Sequence, residues 1–131
     1  MKRMSAPIPS YALAYLRNVD FGAEIIRYMR EIDDTLEPFG GEFLVHGGGV
    51  DVREGDVGDG TLVIIRFPDS DAAAGWYDSA DYQRILPLRS RNSDSITALL
   101  QGVAPGHTGA TKVAELLATP NVPVVPLSGF G

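Results

Sequence analysis

The sequence contains no cysteine, and none of its apolar runs approaches the roughly 18 residues needed to span a bilayer. The lack of cysteine excludes disulfides, thiolate nucleophiles and cysteine-bound zinc or iron–sulfur centres, and it fits a reducing compartment. The N-terminal residues include Pro7 and Pro9 where a secretory signal would carry an apolar core. We therefore expect a cytoplasmic protein that has no membrane partner.

Basic residues are scarce. The chain has 11 Lys and Arg against 17 Asp and Glu, which gives a formal net charge of −6. A surface that binds nucleic acid needs clustered Lys and Arg to replace the counterions of the phosphates, whereas the bases here are scattered along the chain. Nucleic acid is therefore not an expected partner.

The sequence also offers little to hold a metal or a cofactor. Its only two histidines, His46 and His107, lie far apart and form no pair with metal-ligand spacing. The glycine run 47–49 follows a predicted strand, but it lacks the dinucleotide-binding fingerprint and the lysine of a phosphate-binding loop. We expect a protein with no metal and no cofactor.

A length of 131 residues, with 44% hydrophobic and 21% charged residues, is typical of one globular domain. We expect a core domain over residues 11–103, preceded by an N-terminal extension, 1–10, and followed by a C-terminal tail, 104–131. The tail contains a short helical pattern, 110–118, and then an apolar, proline-containing end. It is predicted to be either a mobile terminus or an arm across a partner subunit.

Hydrophobic periodicity predicts four strands and two helical regions in the order βαββαβ. The second helical region is expected to break near Ser79. Candidate caps are Asn18 or Asp20 for the first helix and Asp69 or Ser70 for the second. The predicted strands are residues 11–17, 42–54 with a glycine bulge, 61–67 and 95–103. This order predicts an α+β fold with a four-stranded, mainly antiparallel sheet.

Both faces of the predicted sheet are apolar. Within the strand 61–67, Leu62 and Ile64 point to one face while Val63 and Ile65 point to the other. Two helices can cover only one face of such a sheet, so the second face needs another cover. A second copy of the chain is the favoured cover, giving a homodimer, and the alternative is the chain's own tail folded back.

Several motifs, in order along the chain, closely resemble the family catalogued as domain of unknown function 1330. They span roughly positions 11–103, and the tail lies outside the resemblance. The resemblance implies a ferredoxin-like fold that forms a dimeric α/β barrel. The same superfamily contains cofactor-free monooxygenases, isomerases, haem-dependent peroxidases and ligand-sensing domains. The motifs that carry the resemblance are Phe39–Gly48, Arg53–Asp56, Val63–Pro68, Trp76–Gln83 and the pair Leu88 and Arg89.

One side chain is a candidate catalytic group. His46 ends a predicted strand beside three glycines, where a ligand can approach the backbone, and a neutral imidazole can act as a general base. Glu54 is a candidate partner that would orient this imidazole or bind the ligand, and the alternative for Glu54 is a solvated turn acid. The alternative for His46 is a structural hydrogen bond in an exposed strand.

Three aromatic residues and one cation form a second candidate group near the break in the second helical region. Trp76, Tyr77 and Tyr82 could line an aromatic pocket, with Arg89 as a fixed positive charge for a carboxylate or enolate. Trp76 and Tyr82 also fit a plain core role, because their spacing is helical.

Two functions are compatible with these residues. The first is a small-molecule-binding domain, such as a cofactor-free oxygenase or isomerase that acts on a small aromatic or carbonyl compound. Its site is expected in a cleft between the sheet and the helices, lined by His46, Tyr77, Tyr82 and Arg89. The second is a non-catalytic dimeric binding or assembly module with a packed barrel and no active site. A haem enzyme is a more distant alternative, since His46 is its sole plausible axial ligand.

Overall fold

A computed structural model describes residues 7–118. Its elements follow the order βαββαβ and then a further helix, with the second helical region divided into two pieces. They are β1 (Ser10–Arg17), α1 (Ala23–Leu36), a 3₁₀ turn (Glu37–Phe39), β2 (Glu42–His46), β3 (Thr61–Phe67), α2 (Ser70–Asp78), α3 (Ala80–Ser90), β4 (Asp94–Gln101) and α4 (Gly109–Ala118). The predicted α+β class and element order are confirmed.

The four strands form one sheet in the order β2-β3-β1-β4, and every neighbouring pair is antiparallel. β1 and β3 therefore occupy the centre, where both backbone edges are paired. These are also the two strands whose sequences are apolar on both faces. A register shift between Phe43 and Val45 bends β2 near its end.

The helices α1, α2 and α3 pack on one side of the sheet, which we call the inner face. The core that they share with it contains Phe67, fully buried on β3, and Trp76 of α2, whose ring centroids lie 5.4 Å apart. The Trp76 indole N–H donates to Thr35 Oγ1 at 3.0 Å, and Thr35 in turn donates to the carbonyl of Ile32 at 2.7 Å. This chain of hydrogen bonds satisfies the polar atoms that the core buries.

The break in the second helical region lies at Ser79, as predicted. Ser79 has an extended backbone (φ −63°, ψ 147°), and its side chain caps both helices. Its Oγ donates to the carbonyl of Trp76 at 2.7 Å and accepts from the amide of Tyr82 at 3.2 Å. α2 itself begins with Asp69 as its cap, which accepts from Ala72 N at 2.8 Å. The double cap brings the aromatic residues of α2 and α3 side by side.

Two local predictions are wrong. Gly22, rather than Asn18 or Asp20, occupies the cap position of α1 and makes no side-chain cap bond, because α1 begins only at Ala23. The predicted extension of the second strand through Glu54 is also absent: β2 ends at His46, and a loop continues to β3. Val50 and Val52 alternate with polar residues in this loop, but both are exposed, so no neighbouring element buries the pattern as a strand.

The opposite side of the sheet, which we call the outer face, carries none of α1, α2 and α3. Strand alternation and register place aromatic and aliphatic side chains there, and Ile96 is 64% exposed. α4 follows β4 and has no buried residue, with Leu117 74% exposed. The apolar end of the tail, residues 119–131, lies outside the described residues. In the described part, no helix is long and apolar enough to cross a membrane.

The buried bond between Trp76 and Thr35 makes a testable contribution to stability. Thr35→Val keeps the side-chain shape but leaves the indole N–H without an acceptor, so we expect it to lower the free energy of unfolding by about 1–3 kcal/mol. Urea denaturation monitored by circular dichroism measures the change. Thr97→Val is the matched control, because Thr97 is exposed and its hydroxyl has no hydrogen-bond partner within the described residues. Equal losses in both variants would contradict a role for the bond.

Candidate functional site

A cavity of about 630 Å³ lies between the inner face of the sheet and the helices. It exists because the central strand β1 presents small side chains there: Ala12 and Ala14 pair with Ile65 and Val63 of β3. Alanine leaves a depression between larger neighbours, and the helices span it without filling it. Most of the cavity's other walls are apolar. Such a concave, mostly apolar space with a few polar groups is typical of a ligand site.

The cavity extends across the full width of the sheet. The register aligns His46 of β2, Val63 of β3, Ala14 of β1 and Thr97 of β4 in one row, and all four line the cavity. Three strand spacings of about 4.8 Å separate the ends of this row by roughly 14 Å. The two candidate groups, His46 and the helical aromatic residues, therefore meet in one cavity although they come from distant parts of the sequence.

Arg89 is the most unusual residue of this cavity. It lies on α3 and is only 5% exposed, yet no ion pair within the described residues involves it. Its Nε is buried and has no hydrogen-bond partner there. A buried guanidinium without a carboxylate is costly, since desolvation is not repaid by an opposite charge.

Two tyrosines lie against this guanidinium. The hydroxyls of Tyr28 on α1 and Tyr82 on α3 are 2.7 Å apart and share a hydrogen bond. Burial raises the pKa of Tyr28 well above its ordinary value, and Tyr82 raises it further, so Tyr28 is neutral at physiological pH. Burial alone lowers the pKa of Arg89, but the two phenol oxygens raise it by more, and the guanidinium stays charged. Arg89 therefore has a hydrogen-bonding partnership but no charge partner.

An aromatic wall stands next to the cation. Trp76 and Tyr82 have ring centroids 4.1 Å apart, and Tyr77 lies 5.5 Å from Tyr82. All three rings line the cavity, and Trp76 also belongs to the core. The core and pocket roles that the sequence left open for Trp76 are thus compatible, because one side of the ring can pack while the other faces the cavity.

His46 lies at the far rim of the cavity. Its ring stacks on Phe43, with centroids 4.2 Å apart and an interplanar angle of 3°, and the residue is exposed. The adjacent Gly47 also lines the cavity and has a positive φ of 72°, a conformation that glycine adopts without strain. The imidazole has no hydrogen-bond partner within the described residues, so both ring nitrogens are available to a ligand.

Glu54 does not join this site. It is exposed in the loop between β2 and β3, does not line the cavity and forms neither a hydrogen bond nor an ion pair with His46. The candidate pairing of the two residues is therefore absent, because the loop departs from the extended path that would bring them together. Within residues 7–118, no group of three or more His, Cys, Asp or Glu could hold a metal ion.

Sequence reasoning missed Tyr28 and the two small residues of β1. Tyr28 lies three positions after Ile25 and four before Ile32, both buried on α1, so helical spacing alone could have placed it on the inner side. In the sequence, the alanines Ala12 and Ala14 look like ordinary buried strand residues. Their role appears only when larger neighbours surround them.

Solved structures resemble this architecture at low sequence identity. A protein of unknown function from Rhodopseudomonas palustris aligns with a TM-score of 0.57 at 18% identity, over 75% of this chain and 85% of that one. SnoaB, a cofactor-independent oxygenase from Streptomyces nogalater, aligns at 0.50 and 16%, over 77% and 99%. A dimeric ferredoxin-like protein of unknown function from Thermobifida fusca aligns at 0.50 and 12%, over 76% and 96%. These likenesses show the ferredoxin-like fold.

Among curated proteins, none matches the chain. A family model does, over residues 9–103, which is more than half of the sequence and includes every strand and the helices α1 to α3. The chain therefore belongs to the family described as domain of unknown function (DUF1330).

Proposed function

We propose that this protein binds a small aromatic or carbonyl compound in the cavity, with an anionic oxygen of the ligand held by Arg89. The single observation that carries the proposal is the buried guanidinium that lacks a carboxylate and has an unpartnered Nε. A ligand carboxylate or enolate supplies the missing charge and accepts the free N–H. The aromatic wall beside Arg89 offers ring-stacking surfaces for a planar body.

The same geometry supports a reaction as the second part of the proposal. His46 at the rim is a candidate general base that takes a proton from a carbon or hydroxyl of the ligand. The electron pair left on that atom is then delocalised through the conjugated rings of the ligand to a carbonyl oxygen at Arg89, and Arg89 stabilises the resulting enolate. In an isomerase the proton returns at another carbon, and in a cofactor-free oxygenase the carbanion reacts with dioxygen. The cofactor-independent oxygenase among the structural neighbours makes the second outcome worth testing.

The alternative function, a packed assembly module without an active site, requires a filled interior. The described cavity and the polar groups that meet in it weigh against that alternative. Ligand binding in this cavity is also compatible with a domain that senses the ligand without transforming it. Turnover that depends on His46 would distinguish an enzyme from a sensor.

Replacement of Arg89 tests the proposal directly. The probe is 2-naphthoate, and its binding is followed by quenching of Trp76, the single tryptophan of the chain, with calorimetry for the dissociation constant. Arg89→Met removes the charge but keeps the length of the side chain. Because hydrogen bonds to charged groups contribute about 1.5–3 kcal/mol, we expect binding to weaken by about 10- to 100-fold.

The control for the charge is the methyl ester of 2-naphthoate, which should bind weakly to the wild type and lose little in Arg89→Met. Circular dichroism checks that the variant folds, as expected from the replacement of a buried unpaired charge by an apolar side chain. The proposal is wrong if 2-naphthoate fails to bind the wild type, or if it binds both proteins equally.

Filling the cavity provides an independent test. Ala14→Leu places extra carbon atoms in the middle of the cavity floor, so we expect 2-naphthoate binding to fall by more than about tenfold. The free energy of unfolding should stay constant or rise by about 0.5–2 kcal/mol, as in other cavity-filling changes. Ala80→Leu, at an exposed position on α3, is the matched control and should leave binding unchanged. Retained binding in Ala14→Leu would show that the probe lies elsewhere.

We also propose that the protein is a cytoplasmic homodimer in which the outer faces of two sheets meet. The outer face combines Tyr11, Leu13, Leu62 and Ile64 on the central strands with exposed Leu100 on β4. Contact between two such faces about a two-fold axis would remove this apolar surface from water. The neighbour from Thermobifida fusca, described as dimeric, is consistent with this arrangement.

A charge on the outer face tests the dimer. Leu100→Glu would bury a carboxylate from each copy in the proposed interface, so we expect the mass in light scattering to fall from that of a dimer to that of a monomer at micromolar concentration. Ile26→Glu, on the exposed side of α1, is the control and should leave the mass of the dimer unchanged. A monomeric wild type, or a Leu100→Glu protein that stays dimeric, would contradict the proposed interface.

A further inference from the structure

A second depression adjoins the cavity and differs from it in chemistry. It lies between α2, α3 and the edge strand β4, and we call it the polar cleft. Its lining mixes hydroxyl and charged groups with apolar side chains, in contrast to the largely apolar cavity. The polar part of the lining includes Ser90, Ser93, Ser95, Thr97 and Tyr77, together with the charged Arg17 and Asp94.

Three residues border both spaces: Tyr77, Arg89 and Thr97 line the cavity and the polar cleft alike. The hydroxyls of Tyr77 and Thr97 have no hydrogen-bond partner within the described residues, and the Nε of Arg89 has none either. Unused hydrogen-bonding groups from α2, α3 and β4 thus converge at one junction. Groups that the fold leaves unpaired in this way are available to a ligand that crosses the junction.

The cavity is also open on the side of the cleft. Inner-face residues of a sheet covered by helices are normally buried, but Thr97 and Leu99 of β4 are exposed although they line the cavity. The helices therefore do not close the space above the edge strand. A ligand whose ring occupies the cavity can extend a substituent over β4 into the cleft without displacing any element.

The charges of the cleft favour a substituent with acceptor atoms. Arg17 lies at the end of β1 and forms no ion pair within the described residues. Asp94, opposite Arg17 in the strand register, also lines the cleft, and it stays negatively charged while it accepts from the side-chain amide of Asn18 at 2.8 Å. The two cations Arg17 and Arg89 outnumber this single acid.

The hydroxyls of the cleft are not equally free. Ser93 donates to the carbonyl of Arg89 at 2.8 Å, so in the 2.7 Å bond that it shares with Ser95 the donor is Ser95, and Ser95 keeps acceptor capacity only. The donors that remain are Arg17, Tyr77 and Thr97. An amide that is followed by an acceptor group suits this surface better than an apolar tail, because its N–H can donate to Ser95 and its oxygens can accept from the remaining donors.

We propose that the cavity and the polar cleft form one two-part site, and that its ligand is an aromatic acid whose acidic end is extended by a polar, acceptor-rich chain. The aromatic body occupies the cavity, the first acceptor meets Arg89, and the extended end binds the hydroxyls of the cleft. This inference rests on the proposed function, since it assigns the same cavity a more specific ligand.

A pair of probes that differ only in the extension tests the inference. 2-Naphthoate ends at Arg89, whereas its 3-(carboxymethylcarbamoyl) derivative, which we call the glycine conjugate, keeps that carboxylate and adds on the neighbouring ring carbon an amide and a second carboxylate that can enter the cleft. Since each new hydrogen bond changes affinity by about threefold to tenfold, we expect the glycine conjugate to bind the wild type tighter by at least that factor. Quenching of Trp76 and calorimetry measure both dissociation constants.

Removal of hydroxyls from the polar cleft tests whether the extension binds there. In the double variant Ser95→Ala and Thr97→Val, the conjugate should lose its advantage, while 2-naphthoate should bind within about twofold of wild type. Ser70→Ala, an exposed hydroxyl on α2 that lines neither space, is the control and should change neither constant. A crystal structure with the conjugate would then show its carboxylate in the cleft.

The possible failures are distinguishable. If neither probe binds, the proposed function is overturned and the inference with it. If 2-naphthoate binds in an Arg89-dependent way but the conjugate binds no tighter, the two-part site is overturned alone. The same holds if the conjugate keeps its advantage in the double variant.

Discussion

The site depends on one constraint: the side chains of β1 on the inner face of the sheet are small. An antiparallel sheet with helices on one side normally fills the layer between them, and β3 does so with Val63, Ile65 and Phe67. β1 is the other central strand, and it offers only the small residues Ala14, Ala12 and Ser10 opposite them. Because the helices rest on the larger residues, a cavity remains above the alanines, and every candidate functional side chain except Glu54 lines it.

A second constraint is electrostatic. Arg89 is placed in this cavity by α3, whose start is set by the double cap at Ser79. The tyrosine hydroxyls hold the guanidinium by hydrogen bonds but do not neutralise it, so the free protein keeps an unpaired buried charge. A buried charge without a partner destabilises the free protein, and it favours the binding of an anion that can enter the cavity. The alanines and the cation thus act together: the alanines leave the cavity, and the cation determines which ligand it binds.

The two faces of the sheet differ in the role that we propose for each. The inner face holds the cavity, and the outer face offers an apolar surface to a second copy. β4 takes part in both, since it is an edge strand with Thr97 on the inner face and Leu100 on the outer face. A dimer formed through the outer face would also fix the strand that borders the polar cleft. Assembly and ligand binding would then depend on the same edge of the sheet.

Local sequence patterns determined the order of the elements and several features of the sheet. The order of strands and helices, the break at Ser79 and the apolar outer face all follow from periodicities and caps that act over a few residues. The gathering of His46, Tyr77, Tyr82 and Arg89 into one region was also predicted, although their roles stay proposals. Family resemblance agreed with these patterns because it depends on the same short motifs.

The arrangement of the candidate site was decided only by the tertiary structure. The separation of Glu54 from His46 depends on the path of a loop that begins with three glycines, which allow many backbone directions after His46. The pairing of Tyr28 with Tyr82, and the lack of a carboxylate beside Arg89, depend on how two helices from different parts of the chain pack together. A cavity is the space that such packing leaves unfilled. Its existence therefore follows from distances between elements, which no local pattern of residues specifies.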